Sequence, residues 1–378
     1  MSGHSRGYGF IRFCLWGSCL LTLSLLTGCF LGPTVLKGNR LGYNQHLHAS
    51  NNEELLINIV RMRYCEQPLF LQVGAITASF GSATSLGVSG SHNSRISAVY
   101  PRTSVTPSLG YSYSENPTIV YAPIQGAEYA SRMLSEVDLS TYLLMVRGGW
   151  SLRTLSRLLV MRIGQLHNPV PNGPESYGPE NNDAMFMELL NFFWILETRG
   201  DLEFVRIEKG CNNVGQAVVR IRFDNKNEAK RLGELVGSSI PLETLPSGAL
   251  ITTLKFNPVN NFSDREKGEI YFKLRNMLEV FWAVSFGVES GEEVEALKGS
   301  NKVRTPSNGV PHLIITVKTS DTEPTNAYVC VFTRGKWYYI ADNDLYSKFC
   351  LSALGSLYSL QAKPPQGVHP VLTLPVSK

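Results

Sequence analysis

The sequence predicts an α+β protein built from a long low-charge β-hairpin, a central helical segment and a C-terminal mixed sheet with flanking helices. Three patterns predict it. Residues 69–122 lose almost all charge and alternate apolar with small polar side chains, the period-2 signal of strands with one apolar face. Residues 125–199 carry apolar side chains at helical spacing, broken by Gly148-Gly149 and by a Pro/Gly/Asn-rich stretch at 167–182. After residue 200, short alternating runs are interleaved with two helical runs. A hydrophobic content of 43% and a charged content of 17% over 378 residues suit a chain with a real core.

The first residues read as an export leader. Arg6 and Arg12 form a short positive region, and residues 13–26 are mostly apolar. That run falls short of the roughly 20 residues a helix needs to span a bilayer, and fits the apolar core of a signal peptide. It ends in Leu26-Thr27-Gly28-Cys29, which resembles the lipobox of bacterial lipoproteins. The resemblance implies cleavage before Cys29 and acylation of its thiol, with outer-membrane lipid as the partner of the acylated Cys29. A plain N-terminal membrane anchor with a chance cysteine is the competing reading. Phe30 follows the cysteine; by the sorting rule of enteric lipoproteins, in which Asp there retains the protein at the inner membrane, this chain is expected at the outer membrane, facing the periplasm. The expected division is a signal peptide at 1–28, a lipid anchor and tether at 29–49, a helical domain at 50–200 with the hairpin (about 73–122) inserted, an α+β domain at 201–362 and a C-terminal tail at 363–378.

A helix is predicted over about 50–64. Ser50 and Asn51 are N-cap candidates, Glu53 and Glu54 suit the first turn, and Leu55, Leu56, Ile59, Val60 and Met62 recur at helical spacing. In the hairpin, Ile76 and Phe80 lead one run, Leu86 and Val88 a second, and Leu109, Tyr111 and Tyr113 a third, around a polar loop at roughly 90–104. A further strand is expected at 118–121. Long strands with an apolar face and a small polar face read like membrane-spanning β-strands. A lone hairpin cannot close a barrel, so several copies or a partner must complete one. The competing reading is an ordinary hairpin over a soluble core, or one that adds to a neighbour's sheet edge. Ile76, Phe80, Leu86, Val88, Leu109, Tyr111 and Tyr113 are the candidate partner or membrane contacts.

Further along, helices are predicted at 128–134, 139–145, 152–163 and 184–196. The arginines at 147, 153, 157 and 162 read as a solvated face. Strands are predicted at 202–207, 217–223, 250–256, 312–318, 327–332 and 337–340, with Arg334-Gly335 as a tight turn. A helix over about 264–285 is expected from a Ser263–Glu266 capping box, and a last helix over about 344–360.

The mature chain would keep Cys65, Cys211, Cys330 and Cys350. In an oxidising periplasm four cysteines allow three pairings; Cys330 with Cys350, on a strand and the helix after it, is the first candidate, and four buried thiols the alternative. Chemistry-bearing motifs are missing from the sequence: no nucleophile elbow, P-loop, dinucleotide fingerprint or zinc-ligand spacing occurs. His46 and His48 lack a nearby third ligand and read as surface residues. Asp342-Asn343-Asp344 reads as a helix cap. With 35 basic and 31 acidic residues and no basic stripe, nucleic acid is not an expected partner. No cofactor, metal or catalytic residue is expected.

Three stretches, 52–64 (NEELLINIVRMRY), 116–126 (NPTIVYAPIQG) and 335–344 (GKWYYIADND), together resemble a group of lipoproteins of Gram-negative bacteria. The resemblance implies the compartment and brings no activity with it. The expected function is an accessory or structural subunit of an envelope protein complex or homo-oligomer, such as a secretion, export or efflux channel. The alternatives are a glycan- or ligand-binding lipoprotein, using Trp337, Tyr338 and Tyr339, and an enzyme whose site is assembled without a motif.

Overall fold

The structure is a computed structural model that describes residues 31–93, 102–170, 183–209, 215–258, 268–290 and 313–361. It is an α+β fold. Helix α1 (Leu31–Arg63) leads into a two-stranded antiparallel ribbon, β1 (Leu71–Asn93) and β2 (Arg102–Pro123). Four helices follow: α2 (Gly126–Tyr129), continued by a π-helical turn (Ala130–Leu134), α3 (Leu139–Arg147), α4 (Leu152–Leu159) and, after the short strands β3 (Val160–Ile163) and β4 (Leu166–His167), α5 (Asp183–Arg199). The rest supplies β5 (Leu202–Lys209), β6 (Gly215–Phe223), α6 (Lys226–Val236), β7 (Glu243–Thr244), β8 (Leu250–Asn257), β9 (Glu269–Leu274), α7 (Met277–Ser285), β10 (Lys318–Ser320), β11 (Ala327–Thr333), β12 (Lys336–Ala341) and α8 (Leu345–Leu360).

The largest sheet runs β4-β3-β9-β8-β6-β5, with β7 on the start of β8 and β9 parallel to its end. A second sheet, β10-β12-β11, is antiparallel. Strands on both sides of the division expected at residue 200 share the main sheet, because β3 pairs with β9. One buried cluster continues from Leu55 to Leu357, so the two halves form one body with one core.

The apolar face predicted for α1 is buried as expected: Leu55, Leu56, Ile59, Val60 and Met62 enter the core, against α7 and β11. The helix begins far earlier than expected, at Leu31, so the segment expected as an irregular tether is helical. Pro33 lies in the first turn, where its missing N–H costs no helical bond. From Leu41 to Asn51 no side chain is fully buried, and Leu47, His48 and Asn51 border a cavity together with residues of α8.

Three other expectations change. The helix expected over 152–163 ends at Leu159, and Val160–Ile163 is a strand held by pairing with β9. The helix expected from about 264 begins at Met277, capped by a reciprocal Asn276–Glu279 box; Ser263 and Glu266 lie outside the described residues. Upstream, Ile270, Phe272 and Leu274 are buried in alternation with Glu269, Tyr271 and Lys273, so this stretch is strand β9. Helix α6, not anticipated, is capped by Asn225 and ends on the left-handed Gly237. Residues 313–317 carry the buried Ile314, Ile315 and Val317, but regular strand structure starts only at Lys318.

Candidate functional site

The ribbon is the feature that the core does not explain. Its strands are 23 and 22 residues long, about 75 Å at about 3.3 Å per residue. The breaks expected within it are absent: residues 82–85 and 114–117 stay in register, and the strand expected at 118–121 is the root half of β2. Among the described residues, neither outer edge of the ribbon pairs with another strand.

Directly opposed residues of an antiparallel pair share a face. Leu86 opposes Leu109, Val88 opposes Pro107, Thr84 opposes Tyr111, Ser82 opposes Tyr113 and Ile76 opposes Ile119. All seven candidate contacts, Ile76, Phe80, Leu86, Val88, Leu109, Tyr111 and Tyr113, therefore fall at register positions of one face. The bulge between Val73 and Ala75 shifts the alternation by one residue and brings Leu71 and Val73 onto the same face. Val88 and Leu109 are 75% and 74% exposed. The opposite face is small and polar, and three of its hydroxyls bond across to carbonyls of the facing strand. Ser108 donates to the Gly87 carbonyl at 3.2 Å, Ser85 to Gly110 at 3.4 Å and Ser89 to Thr106 at 3.4 Å. A Cβ on Gly87 would come within 2.5 Å of the Ser108 Oγ, so glycine leaves the space that the hydroxyl fills. Only Arg102 and Glu115 are charged in the two strands.

The root is clamped. Asn58, fully buried in α1, donates to the Leu69 carbonyl at 2.7 Å and accepts from the Leu69 amide at 2.9 Å. Glu54 accepts from the Leu71 amide, and burial raises its carboxyl above the ordinary carboxylate range, against the pull of that amide and of Arg61. Phe70, just before β1, is buried on Phe281 and Tyr358, each with a centroid separation of 5.1 Å. Its carbonyl accepts from the Ile124 amide, which closes the base. Arg132 donates to Gln72 at 3.1 Å and pairs with Glu128 at 2.7 Å. The ribbon thus leaves a rigid base. Asn58→Ala is expected to cost about 2–3 kcal/mol through the two lost bonds to Leu69, and hydrogen exchange at the Leu69 and Leu71 amides should speed up more than exchange in α7.

Two open cavities flank this base. One, of about 710 Å³, lies between Glu53, Glu54, Arg61, Leu71, Val73, Tyr121, Cys330 and Trp337. The other, of about 770 Å³, is bordered by His48, Asn51, Gln72, Val73, Arg132 and Tyr358. In β12, Tyr338 and Ile340 are buried while Trp337 and Tyr339 alternate onto the half-exposed face. Trp337 packs against the exposed Phe332, with ring centroids 5.3 Å apart and planes tilted by 56°. The tight turn expected at Arg334-Gly335 is present, with φ of 53° and 77°, and Arg334 covers the Tyr64 ring at 4.1 Å.

Cys330 and Cys350 do not form the expected bridge; both are free thiols. Val329 and Val331 enter the core where Cys350 is buried, and alternation puts Cys330 on the other face. Burial pushes the Cys350 thiol up to about 12 and also raises Cys330, aided by Glu323 and Glu53. Cys29 and Cys211 lie outside the described residues. His46 and His48 are exposed on α1. Asp344 caps α8, accepting from the Ser347 amide at 3.0 Å, and Asp342 pairs with Lys348 at 2.7 Å. Arg157, expected on a solvated face, instead donates to the Leu313 carbonyl at 2.7 Å and to Tyr346 at 2.6 Å. Among the described residues, no group of His, Cys, Asp and Glu side chains has the arrangement to hold a metal ion, and no helix is long and apolar enough to cross a membrane. Sequence reasoning missed the root residues Asn58, Phe70 and Arg132; the signal for Asn58 was its place among Leu55, Leu56, Ile59 and Met62. Comparison with protein-family models, curated proteins and solved structures finds no match.

Proposed function

We propose that the chain is a lipid-anchored structural or accessory subunit of an outer-membrane assembly, of the kind that forms a secretion, export or efflux channel, and that the ribbon docks on or completes a β-structure shared with other subunits. The ribbon carries this reading. An isolated two-stranded sheet is marginal in water, and this one combines great length, two open edges and an uncovered apolar face. Open edges and exposed apolar surface of this kind are features of interaction sites. The leader ending in Cys29 and the resemblance to Gram-negative lipoproteins supply the compartment. The reading gives the chain no catalytic role.

The register defines a clean truncation. Ser79 opposes Asn116, so replacing residues 80–115 with an Asn-Gly turn keeps the root paired. The truncated chain should fold, keep its acyl group on Cys29 and lose co-purification with envelope proteins. Unchanged association would remove the proposal.

A second reading, binding of cell-wall glycan, is favoured by one observation: Trp337 and the exposed Phe332, in tilted contact, both border the 710 Å³ cavity. Sugar rings stack on such faces. On this reading Trp337→Ala abolishes binding to isolated glycan without moving the melting temperature; equal binding by both proteins rules it out.

A further inference from the structure

We infer that the occupant of the ribbon's free edges is further copies of this same chain, and that residues 82–91, paired with 104–113, cross a bilayer as two strands of a closed barrel to which each copy gives one hairpin. The inference rests on the proposed reading of the chain as a lipid-anchored envelope subunit, and it names the partner.

The edges come first. When identical hairpins stand side by side, β1 of one copy and β2 of the next run antiparallel, just as β1 and β2 do within one copy. The contact is head-to-tail, so a ring closes it and leaves no edge open. Closure is the condition for β-structure in lipid.

The face pattern then fixes the crossing segment. Residues 82–91 and 104–113 contain no Asp, Glu, Lys or Arg. Each stretch has the roughly 9–11 residues that a tilted strand needs to cross a bilayer. Its outer face holds register positions Leu86, Val88, Val105, Pro107 and Leu109. Tyr111 and Tyr113 mark the end nearer the body, where barrels carry aromatic residues. Glu115 lies just outside that end, and Arg102 just outside the other. The opposite face, with Ser85, Gly87, Ser89, Ser108 and Gly110, is small and polar, as a barrel interior is.

Helix α1 lies beside the root of the ribbon, where Ser50 and Asn51 line one cavity with Leu71, Val73 and Tyr121. From Glu54 back to Leu31 the helix rises about 35 Å at about 1.5 Å per residue. From Leu71 to Ser82 the strand rises about 36 Å. Measured from the root, the described start of the helix and the start of the crossing segment thus lie at similar distances along their elements. Residues 71–81 and 114–123 would form a collar between membrane and body.

The test uses the full lipidated chain, purified and added to phospholipid vesicles loaded with a fluorescent dye. The expected result is dye release together with a cross-linked ladder made of this chain alone, reaching about eight copies, since roughly sixteen strands are needed to enclose an aqueous channel. Leu109→Arg and Ser108→Arg lie at one depth on opposite faces, both at exposed positions. The first should cut release about tenfold or more, and the second should leave it nearly unchanged. Equal effects of the two, or a chain that stays monomeric and releases no dye, overturn the inference. In the monomeric case the ribbon truncation separates the levels. Loss of envelope association on truncation leaves the docking proposal standing with a different partner, and unchanged association removes both.

Discussion

Arg275→Leu is expected to destabilise the fold by about 3–5 kcal/mol, the largest effect of any single substitution proposed for this chain. Arg275 is fully buried, at the junction of β9 and α7. Its guanidinium donates to the Arg157 carbonyl at 3.0 Å, to Leu158 at 2.9 Å and to Val170 at 2.6 Å. The first two acceptors belong to the last turn of α4, whose carbonyls have no partner within the helix. One side chain thus caps α4 and ties it to the segment after β4. Burial pushes the Arg275 pKa down to about 9, opposed by Glu279, so the group is still charged at neutral pH. Leucine would fill much of the volume but leave the Leu158 and Val170 carbonyls without their donor away from water, while the Arg157 carbonyl keeps the Asn168 side-chain amide at 2.9 Å. Arg275→Lys would not restore the fork, because an ammonium is a point donor. Denaturant titration of both variants measures this; a loss below about 1 kcal/mol for leucine would show that the carbonyls find other partners.

Gly287→Ala is expected to cost about 3 kcal/mol or more. The backbone at Gly287 runs beside residue 315, and its carbonyl accepts from the Val317 amide at 2.9 Å. An added Cβ would lie 1.8 Å from the Ile315 carbonyl oxygen. The obstacle is backbone on both sides, so no rotamer relieves it. The bridge between Val288 and Val317 must open, and with it the seat of Ile314 and Ile315 in the core. The measured outcome should be a lower melting temperature with early exchange of the Val317 amide.

The parts of the fold legible in the sequence are those whose local pattern and tertiary environment agree. The buried stripe of α1, the core helix α5 with Phe186, Leu189, Leu190 and Phe193, and the cap at Asp344 are all in place. So is the shared face of the hairpin residues, because alternation survives any environment that keeps a strand extended. What was misread turned on distant partners. Leu158, Leu159 and Val160 are equally apolar whether in helix or strand, and only pairing with β9 stops the helix at Leu159. Ser82 to Ser85 and Ser114 to Pro117 look like breaks because small polar residues hide the alternation and Pro117 suggests an end; the opposite strand holds both in register. Helix α6 was hidden by its polarity, although Ala229, Leu232, Leu235 and Val236 have helical spacing. Of the buried polar residues that fix geometry, Asn58 is marked by its place among Leu55, Leu56, Ile59 and Met62, whereas Arg275 carries no local sign of burial.

The central claim is that the outer ribbon meets another protein chain in the cell envelope. A photoreactive side chain at position 109, activated in intact cells, probes it most directly. The account predicts a covalent adduct between the ribbon and a second chain, while the same probe at position 230, exposed on α6, gives none. A ribbon that stays uncrosslinked, or that reacts no more than α6 does, contradicts the account.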